Sequence, residues 1–518
     1  MDGDHPYHNM GVESPPINNS YKITTEKKLQ QNKQLARIFF SLFLVCLVLL
    51  ICAVVFKFGC PSKVATSREK SQSPVIKFLH VSDIHLDLQY NNSLSKKSLC
   101  RNLVNITSET APFQALYGRV RCDSPEILVE SALGFMRNLS LTKLGKIDFF
   151  MFTGDQVAHA IGRDYGNSTI MERVLNNMRA ASNKIALAFS GIPIFPSFGN
   201  NDLPGDYVLP KDSKFYEDVL AFWQPLVLCK NCSFKVTTEE ELKKTFLAGG
   251  YYKAAIPPLK LVLLQLNSNY WNVECIKRNP KGQTLVIADA QMKWLENQLQ
   301  IAKSADNKVI ISGHIPPGIN AYGAFDGFWA QNYTQKYVDL VTKTYSDTVI
   351  GQLFGHIHKD DLRLQMLNDK AGSVDTHSSF VFTAPGITPI YNNNPGFRVV
   401  TFNTVKRLLT DYHQYYMDLV LTTQTKIPTW LFDYSFSDKY MSHLPEDERF
   451  INGKLISDIV ESFVNRTNEN RHWQNYIQHR QVNYQPDPYS RYRLYCAAKH
   501  VTKTAFDECV KRYPVTGG

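Results

Sequence analysis

The sequence predicts an α/β protein whose chemistry sits at the ends of buried strands, preceded by a single transmembrane helix. Three observations carry this reading. Five apolar, β-branched or aromatic runs each lead straight into Asp, His or Asn. Val75–Val81 precedes Asp83-Ile84-His85, residues 147–153 precede Gly154-Asp155, and residues 192–198 precede Gly199-Asn200-Asn201-Asp202. Lys308–Ser312 precedes Gly313-His314, and Val349–Phe354 precedes Gly355-His356-Ile357-His358. Short apolar runs bounded by Gly and Pro read as buried strands. Helical patterns lie between them, and a nineteen-residue uncharged run, 38–56, lies near the start.

The elements follow in order. Residues 1–37 are polar, with Pro15-Pro16 and several Asn, and read as a disordered tail. Residues 38–56 are long enough to span a bilayer core. Lys27, Lys28, Lys33 and Arg37 precede this run and Lys57 alone follows closely, which places the tail in the cytosol and the rest across the membrane. A cleavable signal peptide has a shorter apolar core nearer the N-terminus. Residues 57–74 form a linker rich in Ser and Pro, and residues 75–410 hold the five fragments. Within them, 125–139 and 290–302 read as helices, the second with Met292, Leu295, Leu299 and Ala302 on one buried face. Residues 261–266, 381–383 and 398–402 add strands. Asn269, Tyr270 and Trp271 read as packing rather than cleft residues. From Asp411 onward polar and aromatic residues at helical spacing, with Trp430 and Trp473, suggest a separate C-terminal helical segment.

In open α/β sheets ligands bind beyond the carboxyl ends of strands, so five strand ends carrying oxygen and nitrogen donors predict a metal site. Any one fragment alone is an ordinary capped turn; the set in this order is what carries the prediction. A carboxylate such as Asp155 can bridge two divalent ions, imidazoles suit zinc, iron or manganese, and the Asn200 carbonyl is a harder ligand. Two ions about 3.5–4 Å apart can clamp a phosphoryl group and generate a hydroxide nucleophile.

The fragments resemble, in this order, the calcineurin-like metallophosphoesterases. That resemblance implies a four-layered αββα sandwich, here with a helical C-terminal subdomain over 411–518. It implies that Asp83, His85 and His358 hold one ion, that Asn200, His314 and His356 hold the other, and that Asp155 bridges. Two divalent ions are implied, Zn2+ first, with Mn2+, Co2+ or Fe as alternatives. The sequence is also similar to the acid-sphingomyelinase-like branch, which has a His four residues after the bridging Asp, here His159, and an Asn-Pro-Gly-aromatic-Arg segment, here Asn394 to Arg398. His159 is then expected to be catalytic.

One departure bears on substrate. Sphingomyelinase-like members carry His, which looks like their general acid, where this chain has Asn201. Asn delivers no proton, so general-acid help worth about 10²–10⁴-fold is lost at that position. A phosphate leaving group tolerates this best. The Gly-Asn-Asn-Asp form is similar to the endopolyphosphatases, which leads to an expected cleavage of polyphosphate anhydrides with Asn201 among the catalytic residues; in the alternative, His159 supplies the proton and Asn201 is only a phosphate contact. The alternatives are a phosphodiesterase acting on sphingomyelin or nucleotide-type esters, with His159 as the acid, and a catalytically idle surface glycoprotein. The Gly-His-x-His ending is not kept by all endopolyphosphatases.

Hydrophobic content of 44% supports a large core, and a net charge of +10 suits an anionic, phosphate-containing substrate. No nucleic-acid recognition motif is present. Seven Asn-x-Ser/Thr sites, at Asn91, Asn105, Asn138, Asn167, Asn231, Asn332 and Asn465, lie beyond the uncharged run with eight of the ten Cys. Both features suit a lumenal or extracellular domain, and family resemblance puts the anchor in a vacuolar or lysosomal membrane. The resemblance also suggests disulfides Cys100–Cys122, Cys229–Cys275 and Cys496–Cys509, leaving Cys60 and Cys232.

Overall fold

Alternation along the strands builds two sheets and the layers around them. In the computed structural model the described residues are 75–164, 168–232, 236–322, 326–366, 378–465, 471–485 and 490–513. The first sheet holds β1 (Val75–Val81), β2 (Phe149–Phe152) and β3 (Ile194–Pro196). The second holds β4 (Tyr252–Ile256), β5 (Leu261–Gln265), β6 (Lys308–Ser312), β7 (Val349–Phe354), β8 (Asp361–Gln365) and β9 (Ser379–Thr383). The chain then returns to the first sheet as β10 (Gly396–Asn403), β11 (Leu408–Met417) and β12 (Trp430–Ser435). Strand order is β12-β11-β10-β1-β2-β3 in one sheet and β8-β9-β7-β6-β5-β4 in the other. β1, β2 and β3 run parallel, as do β5, β6, β7 and β9.

Successive strand side chains face opposite ways, and the burial follows that rule. Phe78, Phe149, Met151, Leu263 and Ile310 meet between the sheets. Leu79, Phe150 and Phe152 face the helix Glu126–Thr142, while Val262, Leu264, Val309 and Ile311 face the helices Lys281–Ser304 and Gln331–Asp339. The result is helix, sheet, sheet, helix. Each fully buried Phe or Leu contributes about 1.5–3 kcal/mol relative to exposure, so both faces of both sheets are anchored. The expected stripe Met292, Leu295, Leu299 and Ala302 is buried against the second sheet.

The expected single-pass type II membrane protein of a vacuolar or lysosomal membrane, built on a transmembrane helix at 38–56, is corrected. Among the described residues no helix is long and apolar enough to cross a membrane. The longest, Lys281–Ser304, shows why: it buries Leu295 and Leu299 but exposes Lys293 and Glu296, an amphipathic pattern made for one sheet face. Residues 1–74, with the expected tail, span and linker, lie outside the described residues.

Two further differences concern the C-terminal half. Helical spacing from Asp411 onward does not hold at its start, because β11 runs through that residue and β12 follows. Short helices, Leu419–Thr425 between β11 and β12 and Phe436–Tyr440 after β12, are followed by longer ones at Gly453–Ser462, Arg471–His479, Arg491–Lys499 and Lys503–Arg512. Trp430 belongs to a strand and stacks on Phe135, with its indole N–H donating to Ser131 Oγ at 3.0 Å. The helices pack on the edge strand β8, where Tyr476 donates to Asp361 at 2.7 Å.

Among the described residues the disulfides are Cys100–Cys122, Cys496–Cys509 and Cys229–Cys232. Pairing of Cys229 with Cys275 is thus corrected. Cys229 caps the helix Lys214–Leu228 in a left-handed conformation and the chain turns back at once, so Cys232 donates its N–H to Cys229 O at 2.9 Å. Cys275 instead sits as a buried thiol in the core beside Tyr270 and Trp271. Six of the seven sequon asparagines fall on described residues, and all six are exposed.

Candidate metal centre

The seven donor residues come from five loops at the carboxyl ends of β1, β2, β3, β6 and β7. β1 runs into Asp83 and His85, whose backbone N–H groups donate to the carbonyls of Gly154 and Asp155, both at 3.0 Å. These two loops are therefore laced together. Asp83 (φ 51°), His85 (φ 42°), Asp155 (φ 61°), His356 (φ 76°) and His358 (φ 56°) all adopt the left-handed region. Such a conformation costs free energy in a non-Gly residue, and its clustering at a site is a functional signature. Gly154 has φ +90°, and a Cβ there would lie 2.7 Å from Gly199 N. A Cβ on Gly199 would lie 1.9 Å from Asp155 Oδ1. Only glycine lets the second and third loops approach this closely.

Asp155 occupies the middle. Its Oδ2 is 3.3 Å from His85 Nε2 and 3.2 Å from His314 Nε2. Asp83 Oδ1 is 3.2 Å from His358 Nε2 and 3.7 Å from His85 Nε2. His356 Nδ1 lies 3.3 Å from His314 Nε2. Donor atoms of Asp83, His85 and Asp155 lie within 4.8 Å of one another, as do those of Asp155, His314 and His356. Asn200 shares the loop after β3 and aims a free oxygen, as described below.

The outer contacts orient these donors. His85 Nδ1 donates to Val157 O and His314 Nδ1 to Thr153 O, each at 2.7 Å, which turns both Nε2 atoms toward Asp155, the arrangement metal-ligating imidazoles use. Asn200 Nδ2 donates to Asp206 Oδ1 at 2.9 Å, which frees its carbonyl oxygen. Asp83 Oδ1, His85 Nε2 and Asn200 Oδ1 are buried without a hydrogen-bond partner. Buried polar atoms left so exposed to cost are rare unless an ion satisfies them. The donor set of imidazoles, carboxylates and one amide oxygen fits divalent ions.

Electrostatics point the same way. Burial disfavours charge on His85, but Asp155 and Asp83 outweigh it and raise the imidazole to about 9. His314 is likewise raised to about 9 against burial, chiefly by Asp155. Burial, aided by the neighbouring His314, pushes His356 down to about 3. The pocket thus attracts positive charge to the Asp155 side.

The remaining expected residues divide. His159 stacks on His85 with ring centroids 4.0 Å apart, and its Nε2 lies 3.3 Å from the Tyr391 hydroxyl. Asn201 faces Asp155. Its backbone N–H donates to Asp155 Oδ1 and its side-chain Nδ2 to Asp155 Oδ2, both at 2.9 Å. Arg398 of the Asn-Pro-Gly-aromatic-Arg segment is buried and pairs with Asp360 and Gln414, away from the donors. Tyr270 and Trp271 pack in the core as expected.

Four contributors escaped the sequence reading. Asp202 accepts four backbone N–H groups of the second and third loops. Asp206 turns Asn200, Asn269 donates to Phe198 O and Gly199 O, and Asp123 holds His159. Asp202 had a visible signal in its place within the third fragment, and Asn269 in its place just after the strand run 261–266.

A family model described as calcineurin-like phosphoesterase matches residues 76–360. Cyclic GMP-AMP phosphodiesterase SMPDL3A of Rattus norvegicus is 30% identical over 376 residues, covering 70% of this chain and 76% of its own. The Mus musculus protein of that name is 27% identical and covers 84% of this chain and 92% of its own. Acid sphingomyelinase-like phosphodiesterase 3b of Homo sapiens is 27% identical, covering 70% of this chain and 76% of its own. Such a fold implies divalent metal ions, in keeping with the convergent donors. The matched stretch contains every one of those donors, and the chain belongs to the calcineurin-like phosphoesterase family, within its acid-sphingomyelinase-like branch, as a phosphohydrolase.

Proposed function

We propose that this protein is a divalent-metal-dependent phosphodiesterase, with Asp83, His85 and His358 around one ion, Asn200, His314 and His356 around the other, and Asp155 between them. The observation that carries the reading is the convergence of two imidazole Nε2 atoms on one oxygen of Asp155, at 3.3 and 3.2 Å. Ions bound there supply Lewis acidity toward phosphoryl oxygens and an activated water. The chain's own residues do the rest. Val157 O and Thr153 O hold the two imidazoles in the tautomer that leaves Nε2 free, and Asp206 presents the Asn200 oxygen. His159 gives a proton to a departing ester oxygen in this reading, which is supported by its place at the rim with Nε2 3.3 Å from the Tyr391 hydroxyl.

The polyphosphate reading rested on Asn201 as a mark of leaving-group preference. With its amide committed to Asp155, Asn201 reports on the carboxylate instead, and relatives named as phosphodiesterases support ester cleavage. To test this, the full chain loaded with zinc, manganese or cobalt is offered thymidine 5′-(4-nitrophenyl phosphate) and long-chain polyphosphate in parallel. Release of nitrophenol, abolished in Asp155→Asn, is the expected result. Chain shortening of polyphosphate without ester cleavage would overturn the proposal.

A further inference from the structure

His159 is gripped more tightly than a rim residue needs to be. Asp123 accepts from the His159 backbone N–H at 2.8 Å and from its ring Nδ1 at 2.9 Å. Arg101 donates through Nη2 to the His159 carbonyl. One residue is thus held by its N–H, its C=O and its ring. Both gripping side chains are fully buried. Arg101 is fixed in turn, with Nη1 3.1 Å from Asp87, Nε 3.0 Å from Asp164 and Nη1 3.8 Å from Asp123. The residues just before Arg101 and Asp123 are Cys100 and Cys122, joined by a disulfide with Cα atoms 5.7 Å apart.

We propose that Asp123 and Arg101 are positioning residues whose task is to aim His159 Nε2 at the leaving-group oxygen, an inference that rests on the phosphodiesterase reading above. With Asn201 bound to Asp155, the demand for a proton donor falls on His159. Accepting from Nδ1, Asp123 leaves Nε2 facing the open side, where Tyr391 is 45% exposed. In the step concerned, a water oxygen bonds to phosphorus as the P–O bond to the leaving group breaks. The proton on Nε2 ends on the departing oxygen, the proton lost by the water passes to solvent, and solvent reprotonates His159. The products are a phosphomonoester and an alcohol or phenol.

A purely structural role for the buried acid cluster predicts equal losses on every substrate, so leaving-group dependence separates the two. Thymidine 5′-(phenyl phosphate) and thymidine 5′-(4-nitrophenyl phosphate) share all but the leaving group. Phenolate is the stronger base and needs the proton more. General-acid catalysis contributes about 10²–10⁴-fold, so Asp123→Asn should slow kcat on the phenyl ester at least about tenfold more than on the nitrophenyl ester, with KM and bound-metal content held. Arg101→Lys keeps the charge among Asp87, Asp123 and Asp164 but lacks the fork, and should show the same selectivity to a smaller degree; it serves as the second arm if Asp123→Asn does not fold. Equal slowing of both esters, no slowing, or loss of metal would overturn the proposal. A wild-type protein that cleaves neither ester would overturn the phosphodiesterase reading itself, and this inference with it.

Discussion

Asp202 offers the sharpest quantitative test of how the site is held together. Its Oδ1 accepts from the backbone N–H groups of Gln156 (2.7 Å) and Val157 (3.2 Å), and its Oδ2 from those of Asp155 (2.8 Å) and Gly199 (2.9 Å). Replacement by Asn preserves shape but leaves one oxygen, so two of the four buried N–H groups would face an amide NH₂. Each buried donor left unsatisfied costs about 1–3 kcal/mol, giving roughly 2–6 kcal/mol for two. A factor of ten in an equilibrium corresponds to about 1.4 kcal/mol, so protection against local opening should fall by roughly 30- to 20,000-fold, the range set by those per-donor costs. Native-state amide exchange of Asp202→Asn, read at Asp155, Gln156, Val157 and Gly199, measures this directly. Faster exchange confined to those amides, with core strand β5 unchanged, is expected. Unaltered protection at all four would refute the view that Asp202 locks the second and third loops together.

Other consequences are equally open to measurement. Asp155→Asn should lower bound divalent metal per chain by elemental analysis and reduce ester turnover by more than about 10²-fold, since the shared ligand loses its charge. Phe149→Ala, at the inter-sheet core, should destabilise by about 3–5 kcal/mol in denaturant unfolding. Acid should also destabilise the C-terminal packing: burial opposes ionisation of Asp361, but Arg480 and Arg363 outweigh it and hold the carboxyl below its ordinary value. A depressed carboxylate contributes stability that is present above the unfolded-state pKa and lost as pH falls through the folded one. Unfolding midpoints of wild type should therefore fall below about pH 4 more steeply than those of Asp361→Asn. Finally, peptide mapping without reduction should recover Cys229 linked to Cys232, with Cys275 as a thiol.

The strand runs were legible because burial on both faces leaves a continuous apolar stretch, as in Phe149–Phe152, and because chemistry-bearing residues must follow where a strand ends. Boundaries were less legible. β2 and β3 are shorter than their apolar runs, although Asp148 still donates its N–H to Lys77 O at 2.8 Å and Pro193 O accepts from Phe150 N–H at 3.0 Å. The stretch after Asp411 was misread because β11 alternates only loosely, with Asp411, His413 and Tyr416 half-buried.

By itself the sequence named the candidate donors and their order and determined the family and the two-sheet α/β class, because residue type and strand hydrophobicity are local properties written residue by residue. Tertiary structure alone decided what those donors touch. Asn201, expected from the sequence among the catalytic residues, donates to both oxygens of Asp155 because Gly199 lets its loop approach where a Cβ would collide. Asp123 reaches His159 across 36 residues, and Asp202 reaches Gln156 across 46. Pairings over such separations depend on which strands lie side by side in a sheet and which loops they bring together, and no local pattern records that.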